Sequence, residues 1–290
     1  MADVNAILSK LDNLAALPST VLRLTTLLMS GKAAAAEIEQ VARQDEALSI
    51  TILRWANSAM FGRPGKTFTL RESITRLGNA NLLSIVLQQK TSTMFERAGA
   101  AFGLARGELW RSAVGGGFCA QSIARSHKFD NPELAFLCGL LRDIGKLALD
   151  AHFGSAYAEK VQRHMSPDRS FLEAEREAFG FDHAQVGKAL ALKWKLPERI
   201  AECIGAHHNP PPTGAGHDTL IDIVHAADVV CLWAGLAIGC DGLQYRLAEH
   251  VRTGLDLSRA QAEFLIASAW QDVRSAEQMM KDPAPSRKSA

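Results

Sequence analysis

Apolar residues return every three or four positions along most of the chain, the spacing of one face of an α-helix. No strand-like alternation persists, and no internal repeat of fixed period occurs. The pattern predicts a short amphipathic helix from Val4 to Leu14, a break at Leu17-Pro18-Ser19, and a helix through Val21, Leu24 and Leu28 that Gly31 stops. Ala33 to Ala42 is a third helix. The fourth, from Glu46, carries Leu48, Ile52 and Trp55 on one stripe and Ile50, Leu53 and Asn57 on another, so it should lie between neighbours. Phe61 to Lys66 reads as a basic, solvated turn. Leu70 to Leu77 is predicted helical and ended by Gly78, and Asn79 to Phe95 follows.

The small-residue stretch Ala98 to Gly103 is the expected domain boundary. Beyond it a helix begins near Glu108 and contains Gly115-Gly116-Gly117. Each glycine costs a helix about 1 kcal/mol relative to alanine, so close helix packing is the expected reason for them. Asp130-Asn131-Pro132 should start one long helix from Glu133 to Ala148. Ser170 to Phe179 is an amphipathic helix ended by Gly180, with Glu173, Glu175 and Glu177 expected on a solvated face. Further helices are predicted over Ala184 to Lys195, from Pro197 to His207-His208, over Thr219 to Trp233 (apolar all round and therefore central), and over Leu257 to Met279. The fold class is all-α. The expected organisation is an N-terminal helical lobe over residues 1–100, a second helical lobe over 101–280, and a disordered tail over 281–290 rich in proline, serine and basic residues.

Composition narrows this only a little. At 290 residues and 47% hydrophobic, the chain can bury a core without disulfides. A formal net charge of +1 gives no overall pull toward nucleic acid or an anionic membrane, and no nucleic-acid recognition motif is present. The five cysteines form no C-x-x-C pair, and small core residues in a reducing compartment are the expected reading. The start lacks a basic segment followed by an apolar run, and no apolar run reaches the ~20 residues that span a bilayer. The expectation is a soluble, cytoplasmic protein.

The chemistry centres on Gly139 to Leu147, an apolar segment that holds one carboxylate, Asp143. An ionised carboxylate among aliphatic residues costs several kcal/mol unless a cation, a metal or hydrogen-bond donors face it. Its neighbour Arg142 is one candidate partner. His183, His207, His208 and Asp228 lie far downstream, and histidines and carboxylates on separate helices are the parts of a helical metal site. His225 reads as a satisfied helix residue.

Gly139 to Leu147 resembles the His-Asp-Ile-Gly signature of HD-domain metal-dependent phosphohydrolases, with Arg142 where that family has its histidine. Leu17-Pro18, Arg43 to Leu48, Leu53 to Ala59 and Ile74 to Gly78 are similar to the HD-related output domain, HDOD. So are Phe181 to Gly187, Trp194 to Pro197 and Ala206-His207-His208. The resemblance covers roughly Leu11 to Ala276 and implies an HD-like helical fold. It also implies that the metal positions of HD enzymes fall on Ser112, Arg142, Asp143 and Asp228. Serine is a poor ligand and a guanidinium cannot coordinate, so Arg142, if it points inward, should pair with Asp143 or Asp228 in place of a metal. His183, His207 and His208 resemble the extra ligands of binuclear HD-GYP phosphodiesterases.

The resulting expectation is a bacterial, non-catalytic HDOD-type regulatory protein without a cofactor. It would act in signal transduction through a protein partner or a small, phosphate-bearing ligand, with Ser112, Arg142, Asp143, His183, His207, His208 and Asp228 ringing the former cleft. The alternative is a divergent phosphohydrolase of cyclic dinucleotides or phosphomonoesters, holding a divalent transition metal on Asp143, His183, His207, His208 and Asp228. Asn57-Ser58, a signature pair of the resembled family, is expected to cap the end of its helix.

Overall fold

The computed structural model describes residues 4, 19–58, 61, 68–166, 168–214, 216–236, 238–242 and 245–281. The expectations for Leu17-Pro18, for most of the Val4 to Leu14 helix, for the turn at 62–66 and for the tail beyond Lys281 fall outside them. Among the described residues there are helices and no strands. No helix among them is long and apolar enough to cross a membrane. Residues Ser92–Asp272 belong to one compact unit, and 19–91 with 273–281 belong to a second. The stretch at 98–103 lies inside the first as a 3-10 turn, Ala100–Phe102.

The second unit opens with α1 (Ser19–Ser30), α2 (Ala35–Ala42) and α3 (Glu46–Asn57). The helix α4 (Leu70–Arg97) follows and continues past the division between units at Thr91. Gly78, at φ 70° and ψ 166°, interrupts α4 where the sequence places a stop. That conformation is open to glycine and costly for other residues. Val21, Leu24, Ile38, Val41, Leu48 and Ile52 form the core of this unit. The buried carboxylate of Glu39 ties α2 to α4, meeting Arg43 Nη2 at 2.7 Å and Arg71 Nε at 2.6 Å. At the end of α3, Asn57 Nδ2 donates to Leu53 O at 2.6 Å and Ser58 Oγ donates to Trp55 O at 2.7 Å. Both side chains thus hydrogen-bond to carbonyls of the last turns of their helix, and Trp55 O also accepts from Ser58 N–H.

The first unit holds α5 (Glu108–Ser126), α6 (Pro132–Leu141), α7 (Ile144–Phe153), α8 (Ala156–Gln162), α9 (Phe171–Phe179), α10 (His183–Lys193), α11 (Glu198–Ala206), α12 (Thr219–Trp233) and α13 (Glu249–Gly254). It also holds the first part of α14 (Arg259–Lys281). Several starts are set by local chemistry. Asn131 accepts from Leu134 N–H at 3.0 Å with Pro132 in the first turn, and Ser170 and Asp182 each form a reciprocal capping box. Helix α12 is buried from Leu220 to Leu232, as its uniformly apolar sequence requires.

Two details differ from the sequence reading and shape the site. The long helix expected from Glu133 to Ala148 is two helices, broken at Arg142-Asp143, where Asp143 has φ −100° and ψ 16°. Apolar periodicity runs through the break because both halves are buried, so periodicity could not reveal it. The glutamates of α9 do not all face solvent: Glu175 is fully buried. It lies at i+4 from Phe171 and i−4 from Phe179, on the apolar stripe itself. The helices α8 and α13 had no expected counterpart. They are short, and each buries only one or two side chains.

Candidate functional site

The break between α6 and α7 places Arg142 and Asp143 side by side in the interior of the first unit. The glycines of α5 make room for the arginine. A Cβ on Gly116 would sit 2.0 Å from Arg142 Nη1 and 3.0 Å from Gly139 O, and one on Gly139 would sit 2.4 Å from Gly116 O. The two helices therefore cross backbone to backbone, as expected for the Gly115-Gly116-Gly117 run, and the guanidinium occupies the space left by an absent side chain.

Arg142 is 1% exposed and almost fully engaged. Its Nε donates to Asp228 Oδ1 at 2.6 Å, Nη2 to Ser112 Oγ at 2.6 Å, and Nη1 to the carbonyls of Ser112 and Gly139, both at 3.0 Å. Asp143 Oδ2 lies 3.5 Å from Nε. Burial alone would lower the pKa of the guanidinium, but Asp228 and then Asp143 raise it, so the charge is fixed.

Asp143 has a second cation. Lys146, one turn on, places Nζ 3.2 Å from Asp143 Oδ1 and 3.1 Å from Asp241 Oδ2. Burial disfavours the ionised carboxylate, yet Lys146 and Arg142 outweigh it and hold Asp143 well below the usual carboxylate range. The ammonium of Lys146 is held above its usual range by Asp143 and Asp241 against the same burial.

The histidines close the other side. His183 Nδ1 meets Glu175 Oε2 at 2.7 Å, and its backbone N–H donates to the same oxygen at 3.1 Å. Glu175 is held in turn by the Tyr157 hydroxyl. His183 Nε2 lies 2.9 Å from His208 Nε2 and 3.6 Å from Asp143 Oδ1. Burial lowers the pKa of His183, but Glu175 outweighs it and raises it. His207 donates from Nδ1 to Ile204 O at 2.7 Å, which leaves the lone pair of Nε2 inward, 3.9 Å from Asp143 Oδ1. Burial pushes His207 down to about 4 and His208 well below its ordinary value. His208 Nδ1 is 3.3 Å from Asp228 Oδ2, and its ring stacks on Tyr245 at 3.9 Å. His225 is satisfied as expected, with Nδ1 donating to His207 O at 2.7 Å and Nε2 accepting from Ala248 N–H at 3.0 Å.

All seven residues singled out from the sequence thus converge. Sequence reasoning missed Lys146, Asp241, Glu175, Tyr157 and Tyr245. Two of these carried a signal: Lys146 stands at i+3 from Asp143, and Glu175 interrupts an aromatic stripe.

Two metal sets can be tested against this geometry. The HD set, Ser112, Arg142, Asp143 and Asp228, does not fit a metal: the guanidinium sits among the other three and spends its donors on Ser112 and Asp228. A second set has the right donor chemistry. One ligand atom from each of Asp143, His183, His207 and His208 lies within 4.8 Å of the others, and His207 Nε2 makes no hydrogen bond among the described residues. Three imidazoles and a carboxylate suit a tetrahedral transition metal, and Glu175 behind His183 and Ile204 O behind His207 are the outer partners such ligands use. Against this set stands the ammonium of Lys146, already on Asp143.

Comparison with known proteins places the chain. The HDOD domain family matches residues 14–210. The chain is similar to an uncharacterized protein of Treponema pallidum, 27% identical over 232 residues, which cover 77% of this chain and 43% of that one. The chain therefore spans less than half the length of that relative. Among solved structures it is similar to an HDOD domain protein of unknown function from Geobacter sulfurreducens, with a TM-score of 0.65 and 24% identity over 96% of this chain and 95% of that one. A candidate phosphohydrolase from Shewanella amazonensis superposes with a TM-score of 0.70 at 22% identity, covering 94% and 97% of the two chains. A candidate signal transduction protein from Marinobacter aquaeolei gives 0.72 at 20% identity, covering 92% and 60%. At these identities the three structures establish the shared helical fold.

Proposed function

Because the chain belongs to the HDOD domain family, we propose that it is a non-catalytic regulatory protein of signal transduction, in which Arg142 takes the place of the metal of a phosphohydrolase. The observation that carries this reading is the 2.6 Å ion pair from Arg142 to Asp228, with Ser112 on the same guanidinium. A fixed positive charge does part of a metal's electrostatic work, since it neutralises Asp228 and Asp143. It cannot lower the pKa of a water or supply an open coordination position, so the chemical step of a metallohydrolase has no agent there. Burial points the same way. Asp143 is 2% exposed and His183 and His207 are 0% exposed, so these side chains offer a phosphoester almost no accessible surface.

Signalling would then pass through a protein partner that binds the chain's surface, inside the cytoplasm. A phosphate-bearing ligand finds Arg142 nearly spent, because four of its five N–H groups are already used. Such a ligand would need other cations. Turnover assays with cyclic dinucleotides and phosphomonoesters in the presence of manganese or iron test the proposal, and the expected result is no hydrolysis above the metal-only blank. Hydrolysis that disappears in Asp143→Ala would overturn it.

A second reading is favoured by one observation, the convergence of Asp143, His183, His207 and His208 with a free imidazole lone pair on His207. Those residues would hold the metal of a divergent phosphohydrolase. Bound there, a metal would lower the pKa of a water and so supply the nucleophile. Glu175 would fix the tautomer of His183, and Lys146 would have to leave Asp143 Oδ1.

A further inference from the structure

A second group of imidazoles meets a carboxylate away from that cluster, where the loop before α12, the first turn of α12 and α13 come together. Asp222, on α12, is 5% exposed. Its Oδ2 accepts from His217 Nε2 at 2.7 Å. Among the described residues its Oδ1 makes no hydrogen bond, and 4.0 Å from it lies His250 Nε2, on α13. That nitrogen is also buried and has no hydrogen bond among the described residues. The neighbouring His225 offers nothing to either atom, since both its nitrogens are used on His207 O and Ala248 N–H.

Leaving one buried polar atom unpaired costs about 1–3 kcal/mol, and here two face each other. Their separation exceeds a hydrogen bond and leaves room for one bridging particle. We propose that Asp222 Oδ1 and His250 Nε2 are ligands of a divalent transition-metal ion of the zinc class, with solvent completing its shell. An imidazole with a carboxylate is the ligand pair of zinc and its neighbours, whereas magnesium and calcium take oxygen alone. His217 is the positioning residue. Its N–H holds the oxygen that does not coordinate, the outer contact that orients a ligating carboxylate.

Two tetrahedral ligands with bonds near 2.1 Å sit about 3.4 Å apart, so the gap closes by roughly half an ångström on binding. The side chain of His250 is 28% exposed and that of His217 is 26% exposed, which gives the one freedom to shift and the ion a route in. The bound ion would staple α13 to α12. Neither ligand belongs to the Arg142 cluster, so this inference and the proposed function stand or fall separately.

Zinc titration of the full chain by calorimetry at neutral pH tests it, with cobalt(II) added in parallel to broaden the imidazole signals of bound histidines in NMR spectra. The expected result is zinc binding of which one equivalent, with sub-millimolar affinity, is lost or at least tenfold weaker in His250→Ala and about tenfold weaker in His217→Ala, and cobalt broadening at His250. Both histidines are partly exposed, so these variants should keep the fold. Zinc binding unchanged by His250→Ala, or no binding at about millimolar zinc, would overturn the inference.

Discussion

At the scale of single residues, the molecule turns on what stands beside Asp143. In an aliphatic segment that carboxylate needs a counter-charge, and the chain supplies two, Arg142 and Lys146. Removing one member of a buried pair strands the other, which costs about 3–5 kcal/mol, more than the pair itself contributes. Asp228→Ala should therefore lower unfolding stability by about that much, read from urea midpoints. Ser112→Ala should cost less, about 1.5–3 kcal/mol, because the Ser112 carbonyl still accepts from Arg142. A paired replacement, Arg142→Met with Asp228→Leu, should recover part of the Asp228→Ala loss. If Asp228→Ala is neutral, the guanidinium is not the partner described. The convergence of Asp143 with Arg142 and the three histidines was legible in the sequence, because a lone carboxylate in Gly139 to Leu147 poses an obvious electrostatic question. Asp241 was not legible, and the break that Glu175 makes in an aromatic stripe does not name its partner. An acidic residue on an amphipathic helix looks solvated until its partner, here His183 eight residues on, is placed in space.

At the scale of helices, the site exists because pairs of them approach more closely than side chains allow. Besides the Gly116–Gly139 crossing, α7 meets α10 through Gly145, where a Cβ would lie 1.9 Å from the carbonyl of His183 and 2.7 Å from Gly187 N. The obstacle is backbone, which cannot swing aside. Gly145→Ala should destabilise by about 1–3 kcal/mol or more through overpacking and displace His183 from Glu175. Urea denaturation, together with the NMR signals of the His183 ring, would register both effects. An unchanged ring environment would contradict the contact. Element positions followed from sequence wherever a start or a stop is local: Asn131-Pro132, Ser170, Gly78 and Gly180 all act within a few residues. The break at Arg142-Asp143 followed from no such signal. It is held open by partners on α5 and α12, which a reading of one segment cannot see.

At the scale of the whole molecule, the buried histidines set the response to pH. His207, His208 and His225 are held below the ordinary value of about 6.5 by burial, so the unfolded chain takes up protons first as pH falls. Their contribution to stability is present above about pH 6.5 and is lost on acidification, in the case of His207 down to about pH 4. Asp143, held below the carboxylate range, adds a further loss below about pH 4. His183, raised by Glu175, works in the opposite sense: its contribution is full below about pH 6.5 and fades as pH rises through its higher folded value. Three depressed groups against one raised group predict urea midpoints that fall between about pH 7 and pH 4. Midpoints that are flat or rise over that interval would contradict the burial described. The central claim, that a guanidinium stands where a metal would, is tested most directly by metal content. The sample is His250→Ala protein, which removes the proposed zinc ligand on α13, purified without chelator or affinity-tag metal. It is compared with the same chain carrying Ser112→His and Arg142→His. The account predicts less than about a tenth of an equivalent of manganese, iron or zinc in the first and uptake of metal in the second. One or two equivalents retained by the first protein, held on Asp143, His183, His207 and His208, would contradict it.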